Sequence, residues 1–197
     1  MNILVIGNLG AGKSTVIRHL EQLTNAPLVF SQGALLREFA RDKRAGITLL
    51  PQGHSSFLVQ DKALFDEADE LLLTQIAEQE FSANILLIEL VWRNPSRWFP
   101  SFLRERKAPT VVWYVTTSNE DVRLAHIQQR NRAADEHFLT DAIIDLFPNM
   151  DDYFLPLIQS QEYAPIELIE NTGDLSALYA RVEELYTQAA NSLVGTT

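Results

Sequence analysis

Gly7-Asn8-Leu9-Gly10-Ala11-Gly12-Lys13-Ser14-Thr15 follows directly on the apolar run Ile3–Ile6. Glycines at Gly7 and Gly12 let the backbone curl so that successive N–H groups converge on one point, an arrangement suited to phosphate oxygens. A helix beginning near Gly12 would aim the positive end of its dipole at the same place. Lys13 is then placed to bridge the β- and γ-phosphates of a nucleoside triphosphate, Ser14 to ligate Mg2+, and Thr15 to contact the α-phosphate. Gly7-x-x-x-x-Gly12-Lys13-Ser14 is a complete Walker A pattern. The alternative is a glycine turn arising by chance; the strand before the motif and the helix after it decide for phosphate.

Such a loop needs a strand to deliver it and a helix to leave it, and the rest of the chain supplies both kinds of element in alternation. Strands are expected at Asn2–Ile6, Pro27–Phe30, Asn84–Leu90, Thr110–Val115 and Ile166–Ile169. Ile3–Ile6, Ile85–Ile88 and Val111–Val115 are nearly unbroken apolar runs, the mark of strands buried on both faces. Helices are expected at Lys13–Gln22, Ala34–Arg41, Asp61–Gln79, Asn119–Gln129, around Phe138–Ile158 with an interruption near Pro148, and Leu175–Ala190. This alternation predicts an α/β fold around a parallel sheet. There is no internal repeat or linker, so residues 1–193 read as one domain and 194–197 as a tail.

Composition narrows the function classes. The chain has 197 residues, 46% apolar and 21% charged, ordinary for a globular domain. It contains no Cys, which excludes disulfides, thiol catalysis and cysteine-ligated metal. No apolar run reaches the roughly 18 residues that a membrane span requires. The residues Met1–Ile6 read as a strand rather than a signal peptide, so the expected location is cytoplasmic, away from membranes. A net charge of −10 argues against a surface that tracks a nucleic-acid backbone. Beyond Arg132 the only Lys or Arg is Arg181, so positive charge is concentrated in the portion that holds the phosphate motif.

As a whole the chain resembles the small P-loop kinases of nucleosides and nucleotides. The wording of the loop from Gly7 to Thr15 looks most like deoxynucleoside kinases, and Ile127-Gln128-Gln129-Arg130-Asn131-Arg132-Ala133-Ala134-Asp135-Glu136 is similar to their short arginine lid. Phe30-Ser31-Gln32-Gly33-Ala34-Leu35-Leu36-Arg37 instead resembles the Ser-x-Gly-x-x-x-Arg stretch with which adenylate kinase and related monophosphate kinases hold the acceptor's phosphate. Leu58-Val59-Gln60-Asp61 resembles their Leu-Val-x-Asp stretch at the acceptor base. The resemblance implies a three-layer P-loop kinase fold: a five-stranded parallel sheet flanked by helices, with a short lid at about residues 130–137. It further implies ATP and Mg2+ as cofactors, and a small-molecule acceptor handled by a monomer or homodimer.

Roles follow residue by residue. Lys13, Arg130 and Arg132 are the candidate catalytic cations, the two arginines neutralising charge on the transferred phosphoryl group. A solvated helix end is the bland alternative for Arg130 and Arg132. His126, one turn before Arg130, is a candidate for the donor base or an exposed helical histidine. Arg37 and Arg93 are candidate acceptor-phosphate clamps, since a guanidinium fork suits phosphate, with Arg97 a weaker one. Asp61 is a candidate acceptor contact or a helix cap. Glu89 ends a buried strand at its carboxyl edge, where it would hold a magnesium-bound water or serve a structural role. Trp92, Trp98 and Phe99 could stack on a base or fill the core.

Departures from the two patterns bear on the acceptor. Deoxynucleoside kinases carry Glu-Pro after the second strand, their Glu being the base for a hydroxyl. Here Ser31 and Gln32 stand there, with no carboxylate before Glu38. The third-strand exit is Glu89-Leu90-Val91-Trp92-Arg93, and the helix after the lid lacks the arginine that adenylate kinase-like enzymes place there. A phosphate acceptor is already an anionic nucleophile and needs cations rather than a base. The expectation is therefore a nucleoside monophosphate kinase. The alternatives are a deoxynucleoside kinase with Glu38, Asp61 or Glu89 as base, a regulatory nucleotide-binding protein with weak hydrolysis, and a kinase of another small metabolite.

Overall fold

Each sheet strand carries apolar residues at consecutive positions, so both of its faces demand cover. The computed structural model describes residues 1–25, 28–35, 47–49, 57–59, 62–80, 84–90, 92, 94–117, 121–123, 149–161, 163 and 165–194. Its elements are β1 (Asn2–Gly7), α1 (Lys13–Thr24), β2 (Leu28–Ser31), β3 (Ile47–Leu49), β4 (Phe57–Val59), α2 (Lys62–Gln79), β5 (Leu86–Leu90), α3 (Pro95–Glu105), β6 (Thr110–Thr116), α4 (Asp151–Ser160), β7 (Ile166–Glu170) and α5 (Leu175–Val194).

Five strands form one sheet in the order β2-β5-β1-β6-β7, and every pairing in it is parallel. β1 is central, with Asn2 opposite Leu86 on one side and Thr110 on the other. The chain leaves β1 towards β2 and later returns to add β6 and β7 on the opposite flank. The carboxyl end of β1 is therefore the topological switch point, where open α/β sheets bind ligands.

Strand parity sorts the core into two halves. Leu4, Ile6, Leu86, Ile88, Leu90, Val112 and Tyr114 face one way, against Leu72 and Ile76 of α2, Phe99 and Phe102 of α3, and Phe154 of α4. Ile3, Val5, Leu87, Trp113, Val115 and Ile169 face the other, against Val16, Ile17 and Leu20 of α1 and Leu178, Val182 and Leu185 of α5. The result is the expected three-layer arrangement of helices, parallel sheet and helices.

Two features go beyond the sequence expectation. β3 and β4 pair antiparallel as a separate two-stranded ribbon; runs of three residues are too short to show a period. α3 is the other. Its start is written in Asn94, whose side chain accepts from Arg97 N–H, and in Pro95 at the first helical turn. Pro100 lies inside it and masks the pattern. Trp92, Trp98 and Phe99 are buried in the core, Trp92 packing on Phe99 and Phe102.

The amino end of the sheet is closed by a buried polar cluster. Glu80, at the end of α2, accepts from Asn2 Nδ2 at 2.7 Å and from Lys107 N–H, with Arg106 Nε 3.7 Å away. At the carboxyl end, Gln32 donates to the Asp69 carboxylate and so ties the exit of β2 to α2. Asp69 is 2% exposed. Burial pushes its carboxyl up to about 7; Asp66 adds to the rise, while the Gln32 hydrogen bond and Arg97 oppose it.

An acid whose folded pKa lies above its unfolded value of 3.8 holds its proton more tightly when folded. Its contribution to stability is present at low pH and is lost as pH rises towards 7. Asp69→Asn should therefore gain on the unsubstituted chain by roughly 2 kcal/mol between about pH 5 and about pH 8, read from urea denaturation at both pH values. A difference that does not change with pH would show that Asp69 is not the group responsible.

Candidate active site

Between β1 and α1 the loop makes two close approaches that only glycine permits. At Gly7, with φ +149°, an added Cβ would collide with the backbone carbonyl of Val115 on β6. At Gly12, with φ +101°, it would collide with the side chain of Asn171. Glycine alone combines such dihedrals with such proximity. Gly12 is also the N-cap of α1, and its carbonyl accepts from Thr15 N–H at 2.9 Å and Val16 N–H at 3.1 Å. The first turn of α1 contains no acidic residue, which leaves the helix dipole to serve an anion.

Lys13 is 4% exposed and folds back over the loop. Its Nζ donates to Gly7 O at 3.0 Å and Asn8 O at 2.8 Å. A buried ammonium held by carbonyls is a cation poised for a stronger acceptor, since a phosphate oxygen bonds it with charge assistance. Ser14 Oγ donates to Glu89 Oε1 at 2.6 Å, and Ser31 Oγ donates to Glu89 Oε2 at 3.3 Å. The two oxygens of one carboxylate thus join the loop to the exit of β2. Parity places Glu89 on the α1 side of the sheet, its register partners being Val5 on β1 and Ser31 on β2.

One hydroxyl and one carboxylate are a fitting donor set for magnesium, which keeps several waters and takes its remaining oxygens from phosphates. Among the described residues no group of three or more His, Cys, Asp or Glu is arranged to cage a metal.

Two asparagines support the loop. Asn171, directly after β7, is 1% exposed and donates through Nδ2 to Ala11 O at 2.9 Å, while its own N–H reaches Thr116 O at 2.8 Å. Asn8 turns its side chain the other way, donating to Asn149 Oδ1 at 2.8 Å and accepting from Met150 N–H at 2.8 Å. Next to that contact, Asp151 accepts from Tyr114 and Thr116 at the end of β6. Burial, with Asp151 beside it, raises the Tyr114 phenol well above its usual range. The sequence reading missed Asn171 and the Asn8–Asn149 contact; the one available signal is a polar residue just past an apolar strand at the carboxyl edge.

The structure brings Gly7, Asn8, Leu9, Gly10, Ala11, Gly12, Lys13, Ser14 and Thr15 together with Glu89. Arg37, Asp61, Arg93, His126, Arg130 and Arg132, and the expected lid at 130–137, lie outside the described residues. Arg97 is engaged on α2, 3.1 Å from Asp66 and 3.6 Å from Glu70, with its guanidinium 4.3 Å from the Trp98 ring centroid.

A family model described as an AAA domain matches residues 6–139. No curated protein matches the sequence. Among solved structures, a shikimate kinase from Acinetobacter baumannii in complex with shikimate superposes with a TM-score of 0.58 at 16% identity, covering 95% of this chain and 93% of that one. A gluconokinase from Sinorhizobium meliloti 1021 superposes with a TM-score of 0.52 at 16% identity, covering 95% of this chain and 96% of that one. The chain therefore shares the fold of P-loop kinases.

Lys13→Ala should weaken magnesium–ATP binding by about tenfold or more, since a hydrogen bond to a charged group contributes ~1.5–3 kcal/mol. Equilibrium titration with a fluorescent ATP analogue reads this directly. Unchanged affinity would mean that the loop does not hold the phosphates.

Proposed function

Because the chain belongs to the AAA domain family, with the fold of P-loop kinases, we propose that it is an ATP- and magnesium-dependent phosphotransferase acting on a small acceptor. The observation that carries this reading is the Lys13–Ser14–Glu89 constellation. A buried ammonium lies on the loop, and one carboxylate contacts both the Ser14 hydroxyl and Ser31 at the exit of β2.

In this reading the loop amides and Lys13 would hold the β- and γ-phosphates, and Ser14 and Glu89 would hold magnesium. Magnesium supplies charge neutralisation across the phosphates. Arg130 and Arg132 would stabilise charge as the γ-phosphoryl moves in line to the acceptor. The protein's contribution is positioning and electrostatics, not covalent chemistry.

The favoured acceptor is a nucleoside monophosphate. The exit of β2 offers Ser31 and Gln32 rather than a carboxylate, and Arg37 and Arg93 follow the acceptor-side strands in sequence. A hydroxyl would leave those arginines without a charge to meet, whereas a phosphate dianion fits their forks and attacks unaided. One observation supports a second reading. Glu89 reaches Ser31 as well as Ser14, so a carboxylate does face the β2 exit and would serve as base for a hydroxyl-bearing metabolite. The two structural neighbours, a shikimate kinase and a gluconokinase by name, lend that reading weight.

ADP release with magnesium–ATP separates the two. Nucleoside monophosphates should outpace the matching nucleosides, shikimate and gluconate; faster turnover with a hydroxyl compound establishes the second reading. Stimulation by none of them would favour a regulatory nucleotide-binding protein. Arg37→Ala should raise the KM for a monophosphate by about tenfold or more with little change in ATP affinity, and Arg37→Lys should rescue it only partly. Replacing Arg130 and Arg132 together should lower kcat by ~10²-fold or more while ATP binding changes less, because the charge they meet develops during transfer.

A further inference from the structure

Asn8 occupies two hydrogen-bonding systems at once. Its backbone carbonyl accepts from Lys13 Nζ at 2.8 Å and from Ala11 N–H at 3.2 Å. Its side chain donates to Asn149 Oδ1 and accepts from Met150 N–H, both at 2.8 Å, across 141 residues of sequence to Asn149. One end of this residue is therefore on the lysine tether and the other on the N-terminus of α4.

Asn149 passes the contact on. Its Oδ1 also accepts from Asp151 N–H at 3.2 Å, and its carbonyl accepts from Asp152 N–H at 3.2 Å. Asp151 in turn is held by Tyr114 and Thr116 on β6. The start of α4 is thus built on three supports: the phosphate loop, the end of β6 and its own first turn.

We propose that Asn8 is a positioning residue that transmits occupancy of the phosphate loop to Asn149 and Met150 at the start of α4. The inference rests on the phosphate-site reading above, but not on the identity of the acceptor. Its cause is competition for Lys13. Phosphate oxygens would draw on the same three Nζ donors that now reach the Gly7 and Asn8 carbonyls, and as those hydrogen bonds are shared out anew the peptide carrying the Asn8 carbonyl readjusts with them. The side chain of the same residue holds Asn149 and Met150, so the readjustment reaches their hydrogen bonds. Asparagine suits the role because one planar amide presents a donor to Asn149 and an acceptor to Met150. Aspartate would keep only the acceptor half and would set a carboxylate against Asn149 Oδ1. By linkage, whatever nucleotide does to the start of α4, the start of α4 does to nucleotide affinity, by the same factor.

Amide hydrogen exchange on the full chain tests this, with and without a non-hydrolysable ATP analogue and magnesium, and with no acceptor present. In the unsubstituted chain, exchange in peptides spanning Asn149–Tyr153 should change by about fivefold on adding the nucleotide, the effect of one hydrogen bond made or lost. Asn149→Ala, which replaces no residue of the loop, should reduce that response to the part carried by Met150 N–H while peptides covering Gly7–Thr15 still become protected. Asn8→Asp should retain part of it through the remaining acceptor. Asn8→Ala should abolish it, and the Asn149→Ala result decides should that variant fail to fold. No response in the unsubstituted chain, alongside loop protection, overturns the inference and leaves the kinase reading intact. A full response in Asn149→Ala overturns it equally. Absence of protection at Gly7–Thr15 in the unsubstituted chain sinks the phosphate site and this inference with it.

Discussion

Everything in this molecule depends on how closely the backbone at the end of β1 is packed. Gly7 lies against the Val115 carbonyl and Gly12 against the Asn171 side chain, so the loop between them is confined on both sides. Confinement fixes its amide directions before any ligand arrives. That matters because a phosphate site works through preset dipoles: donors that must first be ordered give back in entropy what they gain in charge stabilisation. The parallel sheet supplies the confinement, since only a central strand has neighbours on both sides to press on the loop that leaves it.

Glu89 shows the same logic in a side chain. Its position on β5 is fixed by register, opposite Val5 on one side and Ser31 on the other. Strand alternation then directs it to the α1 face, and α1 brings Ser14 to within 2.6 Å. No loop conformation has to be specified to assemble this pair. A carboxylate shared between a strand exit and a helix start is held by the sheet register rather than by the conformation of the surrounding loops.

Much of this was legible in the sequence. The strand–loop–helix order around Gly7–Ser14, the unbroken apolar strands and their alternation with helices predict the three-layer sheet, because local pattern alone decides those features. Glu89 was legible for the same reason: the last polar residue of a buried strand at its carboxyl edge has few other places to point. The supports of the loop were not. Asn8 meets residues 141 and 142 positions away, and Asn171 meets Ala11 at a separation of 160. Asparagine in a loop carries no periodicity and has many local uses, so nothing in its neighbours announces a distant partner. The three-residue strands β3 and β4 failed to show for want of length. α3 hid behind Pro100, although Asn94-Pro95 gives a sound helix start.

The pairing of β1 also has a consequence for the order in which the molecule takes shape. β1 is made first, yet its partners are β5, with Asn2 opposite Leu86, and β6, with Asn2 opposite Thr110. The loop that follows it is then held by Val115, Asn149 and Asn171. Parallel pairing between strands so far apart in sequence carries the loop-closure cost before the contacts that repay it. During synthesis, Gly7–Ser14 emerges early but cannot assume its final shape until residue 171 has left the ribosome. The final shape of this loop therefore arrives late in synthesis, only after nearly the whole chain is made.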